Sequence, residues 1–216
     1  MNSDRPVLIT GFEPFDGDAI NPSWQIAQAL HGQQIEAARV VSVQLPCCFD
    51  TSLSALRAAL GRHRPQLVLA LGQAARAVIS LERVAINVID ARIADNAGRQ
   101  PVDEPVLAAA PAAYFGSLPI KAMWAALQEA GIAAEVSQTA GTFVCNQVFF
   151  GLMHMLRRRT GVRGGFVHVP MLPEQAAARG LEGGMPLSRQ IEGVRVALAA
   201  ALQTGVDRRL GAGRLD

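Results

Sequence analysis

The sequence has few cysteines, few aromatic residues and almost no excess charge. Its 216 residues include three cysteines, an odd number, and no two of them are spaced as CxxC. This argues against a disulfide framework and against a structural zinc site. Aromatic residues make up 5% of the chain, and 20 basic side chains are nearly balanced by 18 acidic ones. Because nucleic-acid binding needs a basic stripe with interleaved aromatics, which we do not find, we expect no nucleic-acid partner.

Long hydrophobic runs are also absent. No segment approaches the roughly 20 apolar residues of a membrane span, and the first residues, MNSDRPVLIT, lack the apolar run of a signal peptide. We therefore expect a cytoplasmic protein with no membrane association. Half of the residues are hydrophobic and 18% are charged, which is typical of a packed globular protein. The length predicts one α/β domain over residues 1–216.

Apolar strands alternate with amphipathic helices along the chain. Helical segments are predicted at 21–32, 49–61, 118–131, 142–159 and 187–205, and extended segments at 7–10, 38–46, 66–72, 83–88, 133–141 and 164–170. The run QLVLALG is typical of a central strand that is covered on both faces. The long loop that follows 83–88 is of a kind that is usually functional or mobile. The alternation predicts a three-layer α/β/α sandwich around a mostly parallel, partly mixed twisted sheet.

Cys145 lies where a turn of small residues becomes an apolar helical segment, in TAGTFVCNQVFF. A buried cysteine often packs as a small hydrophobe, and its apolar neighbours fit that interpretation. However, the first turn of a helix has unpaired backbone N–H groups, which stabilise a thiolate and can hold an oxyanion. Cys145 is therefore both a candidate core residue and a candidate nucleophile.

A thiol nucleophile usually needs an imidazole base, and there are four histidines to consider. His31 and His63 lie at the end of a helix and in a turn, and His154 is about 13 Å along the helix from Cys145. His168 interrupts an apolar strand beside its exit, where crevices form in open α/β sheets. It is therefore the best candidate base, with a core histidine bonded to the backbone as the alternative.

The acid that would orient His168 is less well determined by residue chemistry. Glu82 opens the predicted strand at 83–88 and is one of several acids near the sheet that could serve. Carboxylates at strand ends are often only solvated. The residues alone leave this choice open.

Five segments, read together, resemble a known family. In chain order they are GFEPFDGDAINPSW, LERVAINVIDARIADNAGRQPVDEP, AAYFGSLPIKAM, TAGTFVCNQVFFGLMH and GGFVHVPMLPEQ. They closely resemble the pyroglutamyl peptidase I (pyrrolidone-carboxylate peptidase) family of cysteine peptidases. In that family the glutamate of ERVA, the cysteine of TAGTFVCN and the histidine of HVP form a catalytic triad. The matching residues here are Glu82, Cys145 and His168.

The resemblance implies an omega-peptidase that removes an N-terminal pyroglutamyl residue from peptides through a thioester, with neither metal nor organic cofactor. His168 would take the proton of Cys145, and Glu82 would hold the imidazole. The oxyanion would be bound by backbone N–H groups near Cys145 and by the side chain of Arg92. Arg92 matches the arginine of the family's DAR segment. The family also implies a cytosolic homotetramer with an α/β/α fold.

The pyroglutamyl ring is a neutral lactam, which suits aromatic walls with one or two amide partners. Phe12 and Phe15 lie in the segment that resembles the family's GFDPFGG and are the best candidates for ring contacts. The alternative is that both pack under their loop. Asn21 and Gln73 match family positions near the site, although Asn21 is also a sufficient helix cap without any ligand.

Two segments depart from the family pattern. Asp16 stands where the family often has a glycine, so the conformational freedom that glycine gives the backbone cannot be assumed at this position. The segment GQAARA aligns with the family's GQAGGR through a one-residue gap, with Ala75 in place of two glycines and Arg76 in place of the arginine. If those glycines supply a positive φ or a close backbone approach, this loop must differ locally, which affects the placement of Gln73.

The competing hypothesis is a protein of the same architecture that binds a small ring without cleaving a peptide bond, such as a nucleoside-phosphorylase-like enzyme or a binding module. Fold alone does not separate the two. A nucleotide site would need phosphate-binding groups, and the sequence has neither GxGxxG nor a P-loop. The adjacent Cys47 and Cys48 are expected to pack near the start of a helix, because neighbouring cysteines rarely form an unstrained disulfide.

Overall fold

The computed structural model describes residues 5–213; residues 1–4 and 214–216 of the predicted domain lie outside the described residues. The strands are β1 (Val7–Phe12), β2 (Gln34–Ile35), β3 (Ala38–Leu45), β4 (Leu67–Ala74), β5 (Ile79–Glu82), β6 (Val84–Ile86), β7 (Ala113–Phe115), β8 (Ala134–Ser137) and β9 (Arg163–Pro170). The helices are α1 (Pro22–Leu30), α2 (Ser52–His63), α3 (Ile120–Glu129), α4 (Val144–Leu156), α5 (Pro173–Ala178) and α6 (Leu187–Gln203).

The central sheet has seven strands in the order β2-β3-β1-β4-β9-β5-β8. Strands β3, β1, β4 and β9 run parallel to one another. Strands β5 and β8 are parallel to each other and antiparallel to β9, and β2 pairs antiparallel with β3. The sheet is therefore mostly parallel and partly mixed, as predicted, and β4 is its middle strand.

Helices cover both faces of the sheet. On one face, α1, α3 and α6 contribute Ile26, Met123 and Leu198 to a buried apolar cluster. On the other face, α2 and α4 contribute Leu56 and Phe149 to a second cluster. Because side chains alternate along a strand, the continuously apolar β4 supplies both clusters. This arrangement confirms the predicted three-layer α/β/α sandwich.

The predicted strand at 83–88 contains β6, but the sequence pattern misses β5, which precedes it. The strand of the central sheet is β5, which ends at Glu82, so Glu82 closes a strand and does not open one. The chain then turns at Arg83, whose backbone N–H donates to Ser137, and β6 pairs with β7 in a separate two-stranded antiparallel sheet. The run VISLERVAI has no glycine or proline to mark the break. Its β-branched residues therefore look like one strand at the local level.

The sequence pattern also misses three short elements, β2, β7 and α5. They have two, three and six residues, which is too short for a period of 2 or 3.6 residues to be recognised. They form because longer neighbours hold them, as β3 holds β2 at the edge of the sheet. Tertiary context, and not local preference, determines them.

The described chain lacks two features on which other classes of protein depend. None of its helices is both long and apolar enough to cross a bilayer. Within the same residues, no three His, Cys, Asp or Glu side chains are grouped so that they could hold a metal ion.

Candidate active site

His168 and Glu82 are joined by a buried hydrogen bond between neighbouring strands. The distance from His168 Nδ1 on β9 to Glu82 Oε1 at the end of β5 is 2.7 Å. The Glu82 side chain is fully buried, and only 6% of the His168 side chain is exposed. A carboxylate that accepts from Nδ1–H fixes the tautomer of the ring and leaves Nε2 as its basic nitrogen. The pair therefore has the arrangement expected of a base and its orienting acid.

Cys145 lies above the strand next to that of His168. A Cβ atom added to Gly72 of β4 would be only 2.7 Å from Cys145 Sγ and 2.8 Å from Phe166 Cζ. Gly72 pairs directly with His168 in the sheet, so the two residues face the same side. Neighbouring strands are about 4.8 Å apart, so the imidazole of His168 leaves the sheet on the face that the sulfur approaches, one strand away. Only a residue without a side chain leaves room for the sulfur here.

The start of α4 presents backbone donors to the same place. Phe143 is the N-cap and makes no side-chain cap hydrogen bond in the described chain, and Cys145 is the second residue of the helix. The N–H groups of the first turn therefore keep the partial positive charge of a helix N-terminus. Such donors can stabilise an oxyanion that forms on a carbonyl beside the sulfur.

The surroundings of Cys145 favour the protonated thiol over the thiolate. Burial and the negative charge of Glu82 raise its pKa to about 12, and the positive charge of Arg76 lowers the pKa against these effects. A thiol in this environment needs a neighbouring base to remove its proton during attack. This favours base-assisted attack by Cys145 with His168 as the proton acceptor.

The remaining histidines form contacts elsewhere. His31 Nδ1 lies 2.9 Å from the hydroxyl of Ser42, and His154 Nδ1 lies 2.9 Å from the hydroxyl of Tyr114. Among the described residues, no contact joins His31, His63 or His154 to the thiol. Of the four, His168 is the one that pairs with Gly72, the residue that makes room for the Cys145 sulfur.

Of the two aromatic candidates, Phe15 is placed at the site and Phe12 lies in the core beneath it. The ring of Phe15 is half-buried, with its centroid 6.3 Å from that of Phe143, two residues before Cys145. Phe12 is only 2% exposed and belongs to the apolar cluster below α4. The burial of Phe12 fits the alternative that it packs under the loop, whereas Phe15 borders the start of α4.

Asn21 and Gln73 differ in whether their side-chain polar atoms already have hydrogen-bond partners. Asn21 Oδ1 accepts from the N–H of Ser23 at 3.0 Å as the N-cap of α1, and its Nδ2 donates to the carbonyl of Glu13 at 3.1 Å. Gln73 Nε2 donates to Asp18 Oδ2 at 3.2 Å, but its buried Oε1 has no hydrogen-bond partner among the described residues. Because side chains alternate on β4, Gln73 leaves the strand on the face opposite to Cys145.

Arg92 lies in the long loop after β6, and its side chain is exposed. Two residues before it, Asp90 is tied to the segment preceding α4, because its carbonyl accepts from Thr142 Oγ1 at 2.7 Å. This places the loop beside Cys145. Within residues 5–213, however, no contact joins Arg92 itself to the thiol, His168 or Glu82.

Sequence reasoning missed two contributors to this geometry. Gly72 reads as the end of a strand, but β4 continues to Ala74, and a glycine inside a strand often marks a close approach of another group. Asn146 is fully buried on α4 and binds the backbone of Ile86 and Val88, which fixes the start of the long loop to the helix. A polar residue within an otherwise apolar helix is the signal that would have indicated it.

Comparison with known proteins agrees with this geometry. A family model described as pyroglutamyl peptidase matches residues 5–204. The pyrrolidone-carboxylate peptidase of Klebsiella pneumoniae (strain 342) is 54% identical over 208 residues, which is 96% of this chain and 97% of that protein. That of Erwinia tasmaniensis is 55% identical over 210 residues, 97% of this chain and 98% of the relative.

Solved structures show the same likeness. The crystal structure of pyroglutamyl peptidase I from Bacillus amyloliquefaciens has a TM-score of 0.93 and 42% identity, covering 96% of this chain and 99% of that one. Pyrrolidone carboxyl peptidase from Thermococcus litoralis has a TM-score of 0.91 and 37% identity, covering 96% and 99%. These matches confirm the resemblance and the fold class inferred from the sequence. The chain belongs to the pyroglutamyl peptidase family of cysteine-type hydrolases.

Proposed function

We propose that this chain is a cysteine peptidase that hydrolyses the bond after an N-terminal pyroglutamyl residue, with Cys145, His168 and Glu82 as its catalytic triad. Family membership supports the reaction. The observation that carries the residue assignment is the buried His168–Glu82 hydrogen bond of 2.7 Å on the face of the sheet where Gly72 makes room for the Cys145 sulfur.

Acylation begins with the protonated thiol. Since the pKa of Cys145 is raised to about 12, His168 Nε2 removes the thiol proton as the sulfur attacks the carbonyl carbon of pyroglutamate. A carbon–sulfur bond forms, and the carbonyl oxygen becomes an oxyanion. Glu82 stabilises the imidazolium through Nδ1–H throughout this step.

The oxyanion is held by the backbone N–H groups at the start of α4, and the loop that carries Arg92 brings a second candidate donor to the same region. When the tetrahedral intermediate collapses, the carbon–nitrogen bond breaks and His168 gives its proton to the departing amine. Water then attacks the thioester carbonyl while His168 takes a proton from that water. The second tetrahedral intermediate collapses, the carbon–sulfur bond breaks, and His168 returns the proton to the Cys145 sulfur as pyroglutamate leaves.

Recognition of the lactam ring is assigned to side chains on both sides of the loop that follows β1. Phe15, beside Phe143 at the rim, is the aromatic side chain proposed to contact the ring, and the buried Phe12 supports it from the core beneath. The ring has an N–H donor and a carbonyl acceptor, so it needs partners of both kinds. Gln73, one residue before the end of β4, is the proposed amide partner, because its Oε1 has no hydrogen-bond partner among the described residues. Asn21 supports the loop, since its Oδ1 and Nδ2 are bound to Ser23 and to the carbonyl of Glu13.

The assembly and location of the protein are also proposals. All three cysteines are free, which fits a reducing, cytoplasmic environment. Phe115 and Val102 are 70% and 62% exposed, and such large apolar side chains fit contacts between copies in the proposed homotetramer. Light scattering during size-exclusion chromatography measures the oligomeric state directly. No cofactor, metal, membrane or nucleic acid enters the proposed reaction.

The test of the function is release of a chromophore from a pyroglutamyl amide, compared with the matching prolyl amide, before and after treatment with a thiol alkylator. We expect cleavage of the pyroglutamyl compound only, and its loss on alkylation. Folded, reduced protein that binds the pyroglutamyl amide without cleaving it would instead support the ring-binding alternative.

A further inference from the structure

Glu82 has a second hydrogen-bond donor besides His168, and this one is a cation. Arg76 Nη1, in the turn between β4 and β5, donates to Glu82 Oε1 at 2.8 Å, and His168 Nδ1 lies 2.7 Å from the same oxygen. The other oxygen, Oε2, is buried and has no hydrogen-bond partner among the described residues. The orientation of the Glu82 carboxylate is therefore set by these two donors acting on one atom.

Arg76 is itself held by the edge of the sheet. Its Nη1 also donates to Ser137 Oγ at 3.1 Å, and its Nη2 donates to the carbonyl of Thr139 at 2.8 Å. Ser137 pairs with Glu82 between β8 and β5, so one guanidinium spans both the carboxylate and the strand beside it. A planar guanidinium with several donors suits such a bridge, whereas an ammonium group cannot reproduce its geometry.

We propose that Arg76 is a positioning residue for the reaction, which holds Glu82 Oε1 where it orients His168 toward Cys145. The inference rests on the proposed function of the triad. A fully buried carboxylate is stable only with charged or hydrogen-bonding partners, and His168 carries a charge during only part of the cycle. Arg76 is charged throughout, so it compensates Glu82 when His168 is neutral.

The charges around the site agree with this role. Arg76 lowers the pKa of Cys145, whereas burial and Glu82 raise it. Glu135 of β8 lies 3.8 Å from Arg76 Nη1 and is partly exposed, and Arg83 lines the same cleft without a contact to Glu82 Oε1. Arg76 thus binds the acid of the triad, Glu82, and lowers the pKa of its thiol, Cys145.

A cleft of about 750 Å³ borders Arg76 and is lined also by Arg83, Glu135 and Thr139, but by no residue of the triad. The Arg76 side chain is 26% exposed toward solvent. If the side chain were truncated, a small planar cation could enter the vacated space from this cleft. Chemical rescue is therefore a practical test.

The experiment compares Arg76→Ala and Arg76→Lys with Arg83→Ala, which removes an equal charge from the same cleft. We expect Arg76→Ala to lower kcat by about 10- to 100-fold, the range typical of partners that orient a catalytic ligand, with KM unchanged. Arg76→Lys should retain more activity, and Arg83→Ala should resemble the unmodified protein. Millimolar guanidinium, far below concentrations that unfold proteins, should restore part of the activity of Arg76→Ala only.

A second readout is independent of turnover. The rate of Cys145 alkylation by iodoacetamide, followed by peptide mass spectrometry against pH, should shift to higher pH in Arg76→Ala, because loss of the cation raises the thiol pKa. Arg83→Ala should leave the profile in place. If Arg76→Ala does not fold, Arg76→Lys can be used for the same measurement. Its ammonium group is displaced from the position of the guanidinium, so the profile should shift in the same direction but by a smaller amount.

Three results would overturn the proposal: an unchanged kcat in folded Arg76→Ala, a raised KM with unchanged kcat, or equal effects of the Arg76 and Arg83 variants. A raised KM alone would mean that Arg76 binds the peptide in the cleft. Failure of the unmodified protein to cleave a pyroglutamyl amide would refute the proposed function instead, and the alkylation profile would still test the electrostatic action of Arg76.

Discussion

The two halves of the site are held by different kinds of contact. The Glu82 and His168 side chains are buried, and the register of β4, β9 and β5 places Gly72, His168 and Glu82 in one region of the sheet. The loop after β1, which carries Phe15, is held by partly exposed ion pairs. Arg179, at the end of α5, binds Asp16 at 2.6 Å and Asp18 at 3.1 Å.

This difference separates chemistry from recognition. Exposed ion pairs contribute at most about 1 kcal/mol each, whereas a buried charged pair loses several kcal/mol when one partner is removed. Changes at the sheet should therefore reduce kcat, and changes in the loop should alter KM. The variants below test that separation.

The largest effect is expected from Cys145→Ala. Removal of the sulfur eliminates the nucleophile, so turnover of a pyroglutamyl amide should fall by about 10⁶-fold, to the limit of detection. The smaller side chain fits the same space, and the circular dichroism spectrum should not change. Full activity in this variant would rule out Cys145 as the nucleophile.

Glu82→Gln should have the next largest effect. The amide keeps the size of the side chain but loses the charge that orients His168, which in a comparable triad costs about 10⁴-fold in kcat. The loss should be smaller than that of Cys145→Ala because an orienting group is partly bypassed. Equal losses in the two folded variants, measured under saturating substrate, would contradict this ranking.

Gly72→Ala tests the close approach of helix and sheet. The new methyl group would lie 2.7 Å from the Cys145 sulfur and 2.8 Å from Phe166, so one of them must move. We expect a lower kcat and a loss of about 1–3 kcal/mol in the free energy of unfolding, as is typical of overpacking. The matched control is Gly61→Ala on the exposed face of α2, where a Cβ meets nothing within 4 Å and activity should persist.

The smallest effect is expected from Asp16→Gly. Asp16 has a φ of 54°, a left-handed conformation that glycine adopts freely and aspartate tolerates, and Arg179 holds it there. Glycine removes the strain of the left-handed backbone conformation, but it also removes the ion pair with Arg179. The two effects oppose each other, so the free energy of unfolding should change by no more than about 1 kcal/mol. KM should rise with kcat unchanged, since the Phe15 loop becomes less ordered.

The control for Asp16→Gly is Glu192→Ala, which removes a comparable surface pair with Arg189 on α6, away from the loop. It should leave both kinetic constants unchanged. A fall in kcat for Asp16→Gly would mean that the loop also positions the triad, and the separation of chemistry from recognition would be wrong.

Local patterns were sufficient to predict the layers of the fold and the start of α4. The apolar run of β4 predicted a central strand, and the small-residue turn before Cys145 predicted the start of a helix. Of the two departures from the family, Asp16 does take the left-handed conformation that a glycine would. None of residues 75–77 has a positive φ, so the GQAARA segment turns without one. The catalytic roles themselves remain predictions.

The contacts that complete the site were not accessible from sequence. Arg76 meets Glu82 because β5 and β8 are placed beside β9 in antiparallel orientation, and no local period encodes that pairing. For the same reason the break between β5 and β6 was missed, because both segments have strong strand preference. Pairing across the sheet, and not local preference, assembles the base, its acid and its cation.

The most direct test of the central claim is acid quenching during turnover of a pyroglutamyl ester, followed by peptide mass spectrometry. The account predicts a pyroglutamyl thioester on the peptide that contains Cys145, with none on the peptide that contains Cys47 and Cys48, and its absence in Cys145→Ala. Turnover that continues in Cys145→Ala, or an adduct at another residue, would contradict it.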